Sequence, residues 1–153
     1  MRDQRFIAEH RGGPLTKEQH RQLIQWASAC AEKVLPLFEA NIDDRLKTAR
    51  AVAHEWETGK ASVGDARKAS VGAIAVANEG TNPVSVAVAR SVGHAVATAH
   101  MADHALEAAD YALKAVKLAG HSVDQERQWQ TEQLPADIRE LVLSARANRR
   151  LKI

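Results

Sequence analysis

Residues 84–99 carry a single charge, Arg90, and they follow the helix-start signal Asn82-Pro83. Asparagine is a favoured N-cap residue, and proline is tolerated in the first turn because the N–H it lacks would have no partner there. A helix that is apolar on nearly every side must be covered on every side. The residues of this stretch are mainly alanine and valine, so neighbouring helices can approach closely. The stretch therefore predicts a central helix with other helices packed around it.

Helix signals recur along the rest of the chain. Capping residues precede apolar positions at helical spacing, and proline or glycine follows them. The predicted start signals are Thr16 with Gln19, Asp43 or Asp44, Ser62 with Asp65, Ser122, and Pro135. The predicted stop signals are Pro36, Gly59 and Gly120. The helical pattern runs from the fourth helix to Ala119, which is long for one globular helix, so we expect a break between Gly93 and Met101.

Strand signals are almost absent, since strict alternation occurs only in residues 84–88, directly behind a helix start. The chain is therefore predicted to be all-α, a compact multi-helix bundle of six to seven short helices in one domain over residues 1–153. An orthogonal or layered bundle is the first choice, and a pseudo-repeat of helix hairpins is the second. Within the domain we expect a flexible N-terminal arm at residues 1–14 and a basic C-terminal tail at residues 146–153.

The composition excludes several other classes of protein. Alanine accounts for 29 of the 153 residues, 45% of the chain is hydrophobic, and the formal net charge is only +2. This apolar fraction is too high, and the charge too balanced, for an intrinsically disordered chain. Cys30 is the sole cysteine, so no internal disulfide can form. Its place on an apolar helix stripe predicts a buried and inert thiol.

Charge and hydropathy patterns give expectations about location and partners. The first residues contain no apolar core of signal-peptide length, so a cytoplasmic location is expected. The least charged stretch is interrupted by Asn82, Arg90, His94 and His100, so no membrane association is expected. The basic residues of the C-terminal tail could bind nucleic acid, but cations in a run this short more commonly complete the last helix. A nucleic-acid partner is therefore not predicted.

The histidines near Asp103 are the main candidates for chemistry. On a continuous helix His100 and His104 would face the same side, and two imidazoles at that spacing can share a divalent metal. With Asp103 they would allow a metal-dependent enzyme. The alternative is that these histidines form hydrogen bonds between helices or tune a partner surface near neutral pH. A catalytic metal needs three or more ligands, so we favour the alternative and predict no metal and no cofactor.

Common catalytic and phosphate-binding motifs are missing from the sequence. His54-Glu55 begins the zinc motif HExxH, but Thr58 occupies the position of the second histidine. The phosphate-cradling patterns GxxxxGK and GxGxxG do not occur. The sequence therefore contains none of these common signatures of catalysis or phosphate binding.

Five stretches together resemble one protein family. They are GPLTKEQH at residues 13–20, residues 26–38, GHAVATAHMADHAL at residues 93–106, residues 111–115, and residues 126–141 with WQTEQLP among them. With these stretches the chain resembles, over about residues 13–145, the immunity proteins of bacterial polymorphic toxin systems, which are small, all-helical and cytoplasmic. The resemblance implies binding and not catalysis, because an immunity protein neutralises a cognate toxin by covering or distorting its active site.

An acidic stripe on the fifth helix suggests where such a toxin would bind. The predicted partner surface consists of His100, Asp103, His104, Glu107 and Asp110. Carboxylates on this stripe could steer the capture of a toxin with a basic cleft. The alternative is an ordinary solvated helix face.

Three further possibilities stay open from the sequence. The first is the helical metal-dependent enzyme that uses His100, Asp103 and His104. The second is a helical adaptor or regulatory protein with a basic tail. The third is a homodimer, because the fourth helix and a seam through His100 and Tyr111 offer more apolar face than one layer of helices must bury.

Overall fold

A computed structural model describes residues 2–39 and 41–149 of the chain. Over these residues it forms seven α-helices: α1 (Lys17–Val34), α2 (Asp44–Glu57), α3 (Val63–Glu79), α4 (Pro83–Ala97), α5 (His104–Leu118), α6 (Val123–Glu132) and α7 (Ala136–Ala147). Short 3-10 turns lie at Gln4–Phe6, Glu9–Arg11 and Leu35–Leu37. No β-strand occurs within the described ranges, so the predicted all-α bundle of six to seven helices is confirmed.

The predicted start signals cap the helices that they precede. Thr16 and Ser62 each form a capping box: the side-chain hydroxyl accepts a hydrogen bond from the backbone N–H three residues on, and the backbone N–H of the cap residue donates one to the side chain of that same residue. Asp43, Asn82 and Ser122 each accept a hydrogen bond from a backbone N–H in the first turn of their helix. Local capping therefore fixes where five of the helices begin.

The central helix of the bundle is α4, as its lack of charge predicts. It packs against α1, α2, α3 and α5, and most of its side chains are buried. Gly93 allows α3 to come close, because a Cβ at this position would lie 2.8 Å from Cδ1 of Ile74. At the contact between α4 and α5, the buried hydroxyl of Ser91 donates a hydrogen bond of 2.7 Å to the carbonyl of Ala108.

From α2 to α5, each helix packs against the next one along the chain as a hairpin. Arg45 of α2 pairs with Glu79 of α3 at 2.8 Å, and the Ser70 hydroxyl of α3 donates to the Gly93 carbonyl of α4 at 3.0 Å. The next hairpin joins α4 to α5 through residues 98–103, so the chain breaks within the region where the sequence predicts a break. The helix-hairpin arrangement was the second choice from the sequence.

The helices of the structure can be compared with two expectations from the sequence, one about membranes and one about a homodimer. None of the described helices combines the length and the apolar character that a membrane crossing needs. The apolar sides of α4 are covered within one chain, so this helix does not by itself require a second copy. The homodimer stays a prediction, which sedimentation at micromolar concentration would test.

The N-terminal residues differ from the predicted flexible arm. Phe6 is completely buried, and backbone hydrogen bonds connect Ile7 and Glu9 with Leu15 at 3.0 and 2.9 Å. The Arg2 side chain also reaches Asp103, with 3.3 Å between Nε and Oδ2. The apolar side chain of Phe6 gains more from burial in the bundle than from exposure to water, so residues 2–14 pack on the bundle in this structure.

Gly13 makes this packing possible. A Cβ at Gly13 would overlap the backbone carbonyl of Ile7, which cannot move without breaking its hydrogen bond to Leu15. We expect Gly13→Ala to lower the free energy of unfolding by about 1–3 kcal/mol, the range for overpacked positions. Urea denaturation followed by circular dichroism measures this loss. Gly64→Ala is the matched control, because the nearest atom to its Cβ would be 3.6 Å away; equal stability of the two variants would contradict the prediction.

The large side chains of α1 form part of the core. Trp26 is buried, and its Nε1 donates a hydrogen bond of 2.8 Å to the Gln130 carbonyl of α6. Cys30 is also buried, and burial raises the pKa of its thiol, which confirms the predicted buried cysteine. Trp56 and Trp129 are partly buried against the same core.

Candidate functional site

Three polar side chains converge where α4 and α5 lie side by side. Nδ1 of His94 is 3.0 Å from Nδ1 of His104. The Glu107 carboxylate faces both rings, with 3.5 Å from Oε2 to Nδ1 of His94 and 3.9 Å from Oε1 to Nδ1 of His104. Within the described part of the chain, these three residues are the one group with the spacing of a metal-binding cluster.

The turn at residues 98–103 brings this cluster together. His94 lies in the last turn of α4, His104 is the first residue of α5, and Glu107 follows three residues later. The Thr98 hydroxyl donates to the His94 carbonyl at 3.1 Å and helps to end α4. Because α5 runs back along α4, residues that are far apart in an extended helix become neighbours across the hairpin.

Two more side chains extend the cluster along the hairpin. The Tyr111 ring stacks on His94, with 5.3 Å between ring centroids and an angle of 9° between the planes. The Arg90 guanidinium lies 5.8 Å from the centroid of the Tyr111 ring. We call Arg90, His94, His104, Glu107 and Tyr111 the histidine patch; all five side chains are partly exposed.

Burial and neighbouring cations favour the neutral form of His94, because together they lower its pKa. Burial lowers the pKa of His94, the negative charge of Glu107 opposes this effect, and the charges of His104 and Arg90 add to it. A neutral imidazole keeps one nitrogen lone pair, which can accept a hydrogen bond or bind a metal.

His100 does not take the position that the sequence predicts for it. His100 and His104 would face the same side only on a continuous helix. Residues 98–103, which include His100, instead form the turn between α4 and α5. Asp103 pairs with Arg2. The metal set of His100, Asp103 and His104, which the sequence left open as an alternative, is therefore not assembled in this structure, and His94 and Glu107 lie beside His104 instead.

Asp110 also differs from its predicted place on an exposed acidic stripe. Its side chain is 12% exposed and lies between two cations near the C-terminus. Oδ1 is 3.5 Å from Nη2 of Arg146, and Oδ2 accepts a hydrogen bond of 3.0 Å from Nη2 of Arg149. Asp110 therefore pairs with Arg146 and Arg149 beside α5, whereas Glu107 on the same helix is 41% exposed.

The basic tail is used in part by this same contact. Arg146 lies in the last turn of α7, and Arg149 follows this helix. Both arginine side chains pair with Asp110 of α5. The predicted tail continues through residues 150–153, which lie outside the described residues.

Sequence reasoning missed His94, Arg90 and the pairing across the hairpin. The available signal was the predicted break, because residues equally distant from the turn face each other in an antiparallel hairpin. This rule pairs residue 94 with residue 107 and residue 90 with residue 111.

Comparison with known proteins gives one match. A family model described as "Imm-5 like putative immunity protein" matches residues 13–137, which contain α1 to α6 and the whole histidine patch. Searches of curated proteins and of solved structures gave no significant match. The family model covers most of the chain, and the resemblance noted in the sequence points to the same kind of protein. The chain therefore belongs to the Imm-5 like immunity protein family.

Proposed function

We propose that this protein binds a cognate protein toxin in the bacterial cytoplasm and neutralises it, without catalysis of its own. The observation that carries the proposal is the family match over residues 13–137. The fold suits the role, because α4 and α5 are packed into the core along their length and hold their exposed side chains in place. A surface that is already ordered loses less conformational entropy when a partner binds.

The histidine patch is the surface that we propose for toxin binding. It contains a tyrosine and an arginine, two residue types that are enriched where binding energy concentrates. Glu107 supplies the carboxylate of the patch. Its side chain is 41% exposed and is suited to a basic group of the toxin. Of the surface predicted from the sequence, His104 and Glu107 belong to the patch.

The genes beside this one are the place to look for a toxin-like reading frame, and coexpression with a toxin found there tests the function directly. The wild-type chain is expected to restore growth of cells that make this toxin and to form a stable complex with it. Failure of the wild-type chain to bind the toxin or to restore growth would contradict the proposed function.

Variants of the patch test the proposed surface separately. We expect Glu107→Lys to weaken toxin binding at least tenfold, because it places a cation where the toxin is proposed to offer one. Glu132→Lys is the matched control, an exposed charge reversal near the end of α6, and is expected to bind as the wild type does. Isothermal titration calorimetry measures both affinities, and circular dichroism checks that both variants are folded. Equal affinities would place the binding surface elsewhere and leave the toxin-binding function intact.

A further inference from the structure

We propose that His94, His104 and Glu107 form a binding site for one divalent transition-metal ion of the zinc class. The proposal does not depend on toxin binding, because it concerns the isolated chain. It differs from the alternative left open by the sequence, because two of its three ligands, His94 and Glu107, are not in that set, and the fold brings them together with His104.

The spacing of the donor atoms fits such an ion. Zinc binds imidazole nitrogen and carboxylate oxygen at about 2.0–2.2 Å, so two ligands at tetrahedral angles lie about 3.3 Å apart. The two Nδ1 atoms are 3.0 Å apart, and the Glu107 oxygens lie 3.5 and 3.9 Å from them. All three donor atoms can therefore reach one ion with small movements of the side chains.

The donor types select the class of metal. Two imidazoles and one carboxylate suit zinc and neighbouring transition metals, whereas magnesium and calcium prefer oxygen ligands. Three protein ligands leave the fourth tetrahedral position for water or another ligand. Each ligand also comes from an ordered helix, and the Tyr111 ring stacked on His94 restricts the tilt of that imidazole.

A hydrogen bond between the two imidazoles is the competing explanation of the 3.0 Å contact. A protonated Nδ1 of one ring could donate to the unprotonated Nδ1 of the other. This bond would use the same two atoms that a metal requires, so a metal ion would have to displace it and release the shared proton. Titration of the isolated chain with metal shows whether the three side chains act as a metal site or only as a hydrogen-bonded group.

The experiment uses the full chain without a histidine tag, after removal of metal with a chelator. Titration with Zn²⁺ in a calorimeter is expected to show one ion per chain, with a dissociation constant in the micromolar range or below. Co²⁺ is expected to give the visible absorption of a tetrahedral site. No binding of either ion up to about 100 μM would overturn the proposal.

Three variants locate the site. His104→Gln and Glu107→Gln are expected to lower the zinc affinity at least tenfold, the loss that follows even from changes next to metal ligands. His100→Gln is the matched control, because this histidine lies in the turn outside the cluster, and its affinity is expected to stay within about twofold. A loss in His100→Gln that equals the loss in His104→Gln would overturn the proposed site. Helical circular dichroism checks the fold of each variant, and the wild-type titration decides the question without them.

Discussion

Replacing Asp110 with alanine is expected to lower the free energy of unfolding by about 3–5 kcal/mol. The carboxylate of Asp110 is the anionic partner of Arg146, whose side chain is only 10% exposed. Neither Nη atom of Arg146 makes a hydrogen bond within the described part of the chain. Removing Asp110 therefore takes the anionic partner away from a buried guanidinium ion, and the face of Trp26, 5.6 Å away, is a weaker substitute.

The electrostatics of this pair explain why the loss is large. Burial lowers the pKa of Arg146, and Asp110 opposes that effect, so the anion stabilises the charged guanidinium. The cost of taking a charge out of water remains when its partner is removed, whereas the attraction that offset this cost is lost. The free energy of unfolding therefore falls by more than it would if a surface ion pair were removed.

Asp124→Ala is the matched control. This carboxylate also pairs with an arginine, Arg127 at 3.3 Å, but it is 95% exposed. Water screens such a pair, and we expect a change within about 0.5 kcal/mol. Chemical denaturation of the two variants under the same conditions gives the comparison. A loss below about 1 kcal/mol for Asp110→Ala would contradict the buried ion pair.

A double variant tests whether the lost stability belongs to the pair. Asp110→Leu with Arg146→Met removes both charges and leaves apolar groups in their place. Buried ion pairs replaced in this way often give proteins of equal or greater stability. We expect the double variant to be more stable than Asp110→Ala, because no unpaired ion stays buried.

Local signals predicted the helices well, because they depend on residues that are close in the chain. Thr16, Ser62 and Asn82 satisfy backbone N–H groups within three residues of themselves, so their effect is visible in the sequence. The central place of α4 was also predictable, because only complete coverage suits a helix with a single charge.

The contacts that sequence reasoning did not give join residues that are far apart in the chain. Lys114 is one turn from Asp110, a favourable spacing for an ion pair on one helix, but the fold brings Arg146 and Arg149 to Asp110 instead. Phe6 lies in the segment expected to be an N-terminal arm, and its side chain is completely buried in the core. Arguments based on helical spacing cannot predict either contact, because the residues that meet are far apart in the chain.

The candidate site contains two residues that are close in the chain and a third that only the fold brings near. His104 and Glu107 were predicted to share a surface because they are three residues apart on one helix. His94 joins them only because the turn at residues 98–103 reverses the chain, and the position of the break was known from the sequence only to within several residues. One residue of uncertainty in a turn changes which side chains face each other across a hairpin.

The alanine-rich packing of α5 leads to the second large effect. Ala112 is completely buried in a helix that packs against α1, α4 and α6. Its inner neighbours are also buried alanines, namely Ala105, Ala108, Ala109 and Ala115. We expect Ala112→Leu to lower the free energy of unfolding by about 3 kcal/mol, the upper part of the range for overpacked cores, because the three added carbons must push these helices apart.

Ala51→Leu separates this packing effect from any general effect of leucine. Ala51 lies in α2 but is exposed, and leucine is nearly as good a helix former as alanine, so this control is expected to keep the stability of the wild type. Chemical denaturation measures both variants. If Ala112→Leu were as stable as Ala51→Leu, the alanines of α5 would not be setting the distance between the helices. A large loss at Ala112 alone would show that small side chains on α5 are required for its close packing against α1, α4 and α6, and the contact with α4 is the one that brings His94 to within 3.0 Å of His104.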